Sequence, residues 1–158
     1  MTPNMLAFLS MIATSEGTDR IADPYRCTFG YRHVIADLSD HPAITGEWMG
    51  VPLDFLGPAY AGLVSTAAGK YQITKHTWEA AKVSLALKDF TGPSQDDAAI
   101  LLIKQKDALD LVNSGQVQDA ISACASIWAS LPGSASGQPQ AKIADLIHSY
   151  ANAGGAFA

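Results

Sequence analysis

A glutamate closes an apolar run near the start of the chain: Met5 to Ser15 leads straight into Glu16-Gly17-Thr18-Asp19. In a helix, Met5, Leu9, Ile12 and Glu16 fall on one face, at i, i+4, i+7 and i+11. The spacing predicts a helix whose apolar stripe packs into a core and whose last member is a carboxyl. Burial disfavours the charged form, so the Glu16 pKa is expected to rise. A carboxylic acid still protonated near neutral pH can hand a proton to a leaving oxygen, the step that glycosidic-bond cleavage requires. The competing reading is a helix-capping glutamate that faces water, which for a lone glutamate is the commoner outcome.

Three further segments carry residue types with chemical potential. In Ser65-Thr66-Ala67-Ala68-Gly69-Lys70-Tyr71-Gln72, the small residues allow a ligand close to the backbone, and Gln72 offers both a donor and an acceptor to an amide or a sugar hydroxyl. The same stretch can equally be a tight turn into a helix. Its Gly62…Gly69-Lys70 spacing does not fit a phosphate-binding loop, and Tyr71 stands where magnesium would need Ser or Thr. Ser39-Asp40-His41-Pro42 pairs an acid with a histidine, but adjacent side chains rarely face each other and no G-x-S-x-G nucleophile elbow is present. A turn ahead of Pro42 with substrate contact fits better than catalysis. Trp128, in Ile127-Trp128-Ala129-Ser130-Leu131-Pro132-Gly133, reads first as a core residue, with the turn after it available to a ligand.

Bulk properties narrow the function classes. A chain of 158 residues with 48% apolar and 16% charged content has the size and composition of one domain with a real core. The net charge of −5 and the lack of any Lys/Arg-rich block argue against a nucleic-acid partner. No apolar stretch is long enough to span a membrane, so no direct membrane insertion is expected. Cys27 and Cys124 show no metal-ligand spacing, the four histidines are scattered, and neither a metal nor an organic cofactor is expected. Whether the two cysteines pair is not legible. The N-terminal apolar run lacks a preceding Lys or Arg and is read as a mature helix, so the chain is expected to lack an export signal of its own.

Two textures organise the chain. Residues 24–72 are rich in Gly, Pro and aromatics, with short strands expected at Phe29–Tyr31 and His33–Ala36 and a long loop at Gly46–Gly62. After Gln72 the periodicity is helical. Thr74 caps a helix carrying Trp78, Ala81 and Leu85. Ser94 and Asp97 open another, with Ala98, Leu101, Leu102 and Leu109, that runs to Gly115. A third carries Val117, Ile121, Cys124 and Trp128, and a last one carries Ile143, Leu146, Ile147 and Tyr150. The expected fold is a mainly helical α+β domain over 1–158 with a small irregular β lobe at about 25–72.

Taken in order, Ser15–Asp19, Ser39–Pro42, Ser65-Thr66 with Gly69–Gln72, Leu87–Phe90 and Ile127–Gly133 resemble the endolysins of lambda-type bacteriophages, which are lysozyme-like lytic transglycosylases. The resemblance covers nearly the whole chain. Three features depart from the family pattern: a longer, more apolar Gly46–Gly62 stretch, Lys70 in place of an arginine, and no aromatic in the Gly133–Gly137 loop. The resemblance implies a lysozyme-like fold with a sugar cleft between its two lobes and Glu16 as the sole catalytic carboxylate. It implies peptidoglycan contacts from Ser39, Asp40, His41, Ser65, Thr66, Gly69, Lys70, Tyr71, Gln72 and Gly133. It also implies cleavage between N-acetylmuramic acid and N-acetylglucosamine with a 1,6-anhydro product. A hydrolytic muramidase using the same Glu16, a glycan-binding module without activity and a structural phage-particle protein are the alternatives. As a cytoplasmic monomer, the protein would need a holin to reach the wall.

Overall fold

The computed structural model describes residues 1–158. The chain forms two compact units, Met1–Arg20 with Ala99–Ala158, and Ile21–Ala98. Of the two boundaries, the one at Ala98 falls inside a helix, and the second unit extends past the expected lobe on both sides.

The first unit is built on α1 (Pro3–Ser15). Pro3 sits at the first helical position, where its missing N–H costs nothing, and Thr2 caps the end by accepting from the Met5 amide at 3.2 Å. Met5, Leu9 and Ile12 are buried, as the spacing predicts, and so is Phe8. Each such side chain contributes about 1.5–3 kcal/mol on leaving water. This face packs on α5 (Leu109–Asn113) and on α7 (Ile143–Asn152), whose Leu146 and Tyr150 are fully buried. The α6 helix (Val117–Cys124) adds Ile121 and Cys124 to the core.

The second unit holds the irregular lobe. Its sheet is two residues deep: β1 (Val51–Pro52) pairs antiparallel with β2 (Val64–Ser65), Val51 opposite Ser65. A four-residue helix, α2 (Pro42–Thr45), precedes it, and α3 (Lys75–Leu85) follows. Thr74 caps α3 as expected, its hydroxyl accepting from the Thr77 amide. Trp78 and Ala81 face the core, where Trp78 meets Phe90 edge-on at 4.7 Å.

Several local expectations are corrected. Phe29–Tyr31 is a single 3-10 turn, because Gly30 and Tyr31 both take positive φ, and Val34 makes only one isolated bridge, to Cys27. The Gly46–Gly62 stretch is not a plain loop: it contains β1 and 3-10 turns at Asp54–Leu56 and Pro58–Tyr60. Leu85 is exposed. Ser94 does not cap the next helix, α4 (Gly92–Lys104); its hydroxyl donates to Asp89, which also takes the Thr91 amide and hydroxyl. The helix expected to run to Gly115 breaks at Asp107, at φ 53°, a left-handed position that Asp tolerates. Trp128 lies beyond α6 in a turn anchored on the Cys124 carbonyl, but it is buried as expected. Cys27 and Cys124 are both buried and unbridged.

Candidate active site

Glu16 caps the C-terminus of α1, its amide donating to the Ile12 carbonyl at 3.0 Å. Gly17 then turns the chain out of the helix at φ 71°, a conformation glycine adopts freely. The fully buried Thr18 donates to the Ala13 carbonyl and locks the exit. The carboxyl is therefore held by a rigid helix end rather than by a mobile loop. Ser130 approaches from the segment after Trp128, with its Oγ 2.6 Å from Glu16 Oε1 and 3.0 Å from Ser15 Oγ. Ser130 is itself pinned, because the Ala141 amide donates to its carbonyl at 2.7 Å.

Burial raises the Glu16 pKa from 4.5 to about 7, and the Ser130 hydrogen bond opposes only part of that rise. The helix C-terminus, with its partial negative charge, works in the same direction as burial. Glu16 opens on a cavity of about 340 Å³ lined also by Ser15, Arg20, Gln140, Ala141 and Asp145. The arrangement can present a neutral carboxylic acid to a polar ligand near neutral pH. Of the predicted contacts, Gly133 belongs to this unit, where its amide donates to Gln140 Oε1 at 3.1 Å. Sequence reasoning gives Ser130, Arg20 and Gln140 no role. The Trp128–Gly133 motif was the available signal for Ser130; Arg20 and Gln140 carried none.

In the second unit the predicted contacts divide. Ser39 is exposed and Ser65, Thr66, Lys70 and Gln72 are partly so. Lys70 Nζ donates to the Tyr25 hydroxyl and lies 4.9 and 5.4 Å from the Tyr25 and Tyr71 ring centres. Gln72 donates to the Gly69 carbonyl, and Thr66 accepts from the Lys75 amide. His41, Gly69 and Tyr71 are buried and held by partners within the protein. His41 is fully buried, with Nδ1 accepting from the Ala43 amide and Nε2 donating to the Ile73 carbonyl. Burial also lowers its pKa, so it stays neutral. A Cβ on Gly69 would strike the Gln95 carboxamide. The Tyr71 hydroxyl is buried against Asp96 at 2.5 Å. Asp40 is partly buried, and burial opposes its charge. Hydrogen bonds from Lys82, Trp78 and the His41 amide outweigh that and hold its carboxyl below the usual range. Glu47 is held likewise by the Ala36 and Asp37 amides and His33.

A helical unit with an acid at a helix end and a second unit holding an irregular two-stranded lobe make up the lysozyme-like α+β class. The family model described as Endolysin matches residues 6–157. The endolysin of Escherichia phage lambda is 40% identical over 154 residues, spanning 94% of this chain and 90% of that protein. The endolysin of Escherichia phage P2 is 38% identical over 156 residues, spanning 96% and 93%. Bacteriophage lambda lysozyme complexed with a chitohexasaccharide superposes with a TM-score of 0.87 at 37% identity, covering 100% of this chain and 98% of that one. A second structure of lysozyme from bacteriophage lambda gives 0.83 at 36%. The chain belongs to the endolysin family of lysozyme-like, peptidoglycan-degrading phage enzymes.

Proposed function

We propose that the chain is a lytic transglycosylase that cleaves the β-1,4 bond between N-acetylmuramic acid and N-acetylglucosamine, with Glu16 as its one catalytic carboxyl. The observation that carries this reading is a half-buried acid whose pKa rises to about 7 on a rigid helix end. Protonated Glu16 donates to the leaving oxygen as the C1–O bond breaks and positive charge develops on the sugar. The muramic-acid 6-hydroxyl then bonds to C1, and its proton passes to the Glu16 carboxylate, which restores the acid. The product is 1,6-anhydromuramic acid, and no water is consumed. A retaining hydrolase would need a second carboxylate about 5 Å away. Asp40 and Glu47 are committed to structural partners, which supports a route without a second carboxylate. Ser39, Ser65, Thr66, Lys70, Gln72 and Gly133 are the proposed glycan contacts.

Digestion of purified peptidoglycan, read by muropeptide mass, tests the reading. Products ending in anhydromuramic acid, lighter by one water than reducing-end products, are expected. Reducing-end muramic acid would establish a muramidase instead, and binding without cleavage a glycan-binding module. No helix is long and apolar enough to cross a membrane, and we propose that a holin-type partner opens the route from the host cytoplasm to the wall. Fractionation before lysis checks this, since a wholly periplasmic pool would contradict it.

A further inference from the structure

Ser130, Ser15 and the Ile12 carbonyl form a line of hydrogen-bonding atoms leading away from Glu16, with successive distances of 2.6 Å (Glu16 Oε1 to Ser130 Oγ), 3.0 Å (Ser130 Oγ to Ser15 Oγ) and 2.9 Å (Ser15 Oγ to Ile12 O). Ser130 is within reach of two acceptors but has one proton to give. The Ser15 proton is held by Ile12, so Ser15 Oγ can accept. When Glu16 is ionised, Ser130 donates to the carboxylate. When Glu16 is protonated and no glycan is bound, its own O–H occupies that contact as a donor and Ser130 turns its proton to Ser15; a bound leaving oxygen draws that O–H away from Ser130.

We propose that Ser130 and Ser15 form a two-position hydroxyl switch that pairs with either protonation state of Glu16, making Ser130 a positioning residue for the acid–base cycle. The role rests on the reading of Glu16 as the acid. The line ends on a carbonyl, so no proton travels along it; only the Ser130 hydroxyl rotates. The hydroxyl is expected to matter because little else near Glu16 is charged. The Pro3–Ser15 helix and the 125–141 segment carry no charged residue. The charged groups facing the site are Arg20 from the turn after Glu16 and Asp145 from α7, which line its cavity. Asp19 and His148 line the adjoining hollow.

The switch makes an opposite-sign prediction. Ser130→Ala removes the donor that favours the carboxylate, so the Glu16 titration midpoint moves up. Ser15→Ala removes the acceptor that Ser130 needs when Glu16 is protonated, so the midpoint moves down. Ser130→Thr keeps the hydroxyl and stays near the parent. The chain has three glutamates, at 16, 47 and 79, so the side-chain carboxyls are resolvable by 13C-glutamate NMR titration. The alkaline limb of the activity profile should move with each midpoint, with kcat changing more than KM. Shifts of the same sign for both alanine variants, or no shift in either, would overturn the switch. If Ser130→Ala does not fold, a downward shift in Ser15→Ala with an unshifted Ser130→Thr supports it, and any other pair of results overturns it. The NMR midpoints do not depend on turnover. Undiminished lysis by Glu16→Gln would thus remove the catalytic reading of Glu16 separately.

Discussion

At the scale of single residues, the chemistry concentrates on one carboxyl whose position is set by backbone hydrogen bonds and whose acidity is set by burial. Glu16→Gln preserves shape and removes the proton donor. It should lower peptidoglycan cleavage by about a hundredfold or more, as loss of a general acid does, while pull-down on insoluble walls is retained. Retained cleavage would remove Glu16 from the mechanism. The raised pKa also links to stability. Between the ordinary value of 4.5 and about 7 the folded state binds a proton that the unfolded state has lost, so stability falls as pH rises through this window. Glu16→Gln should therefore be more stable than the parent at pH 8, by ~2 kcal/mol, and closely matched at pH 4, as denaturant melts would show. Activity that requires the acid form should fall as pH rises beyond about 7.

Turns and caps decide the fold at the scale of elements. The Ser65–Gln72 segment is rigid because Gly69 lies against Gln95, whose amide group bridges the Tyr25 and Phe90 carbonyls. Gly69→Ala adds a methyl at a positive φ and drives it into Gln95, so a loss of about 2–4 kcal/mol by urea titration is expected. A merely flexible loop would show less than about 0.5 kcal/mol. Thr74→Ala should cost about 1 kcal/mol, the usual effect of a lost N-cap. The elements legible in the sequence were those with a strong period: α1, α3, α6 and α7. The sequence did not disclose the break at Asp107, which carries no Gly or Pro, nor the 3-10 turn at Phe29–Tyr31, whose aromatic residues favour a strand locally. The break at Asp107 is closed by local bonds from the Asp107 and Ala108 amides to the Lys104 and Ile103 carbonyls, whereas the Phe29 amide is taken by the distant Ala67 carbonyl.

At the scale of the whole molecule, an acidic chain acts on a polymer that is itself commonly anionic. With a net charge of −5, general electrostatic steering toward the wall is not available. Raising salt from about 50 to 200 mM should change lysis by less than about twofold, in contrast to the steep loss of a basic wall-binding enzyme. A steep decline, measured by turbidity, would point to specific ion pairs such as one made by Lys70 or Arg20.

The apolar stripe of Met5, Leu9 and Ile12 and the acid that extends it were determined by spacing alone, because a 3.6-residue period is a local property. So was the α3 cap at Thr74, whose side chain bonds a backbone amide three residues on. Only the tertiary structure decided that Ser130, 114 positions away, would meet Glu16. It also decided that His41, Gly69 and Tyr71 would be buried. Burial and hydrogen-bond partnership are properties of the packed chain. A polar residue in a motif looks the same in sequence whether its donors face a ligand or are already held by the protein.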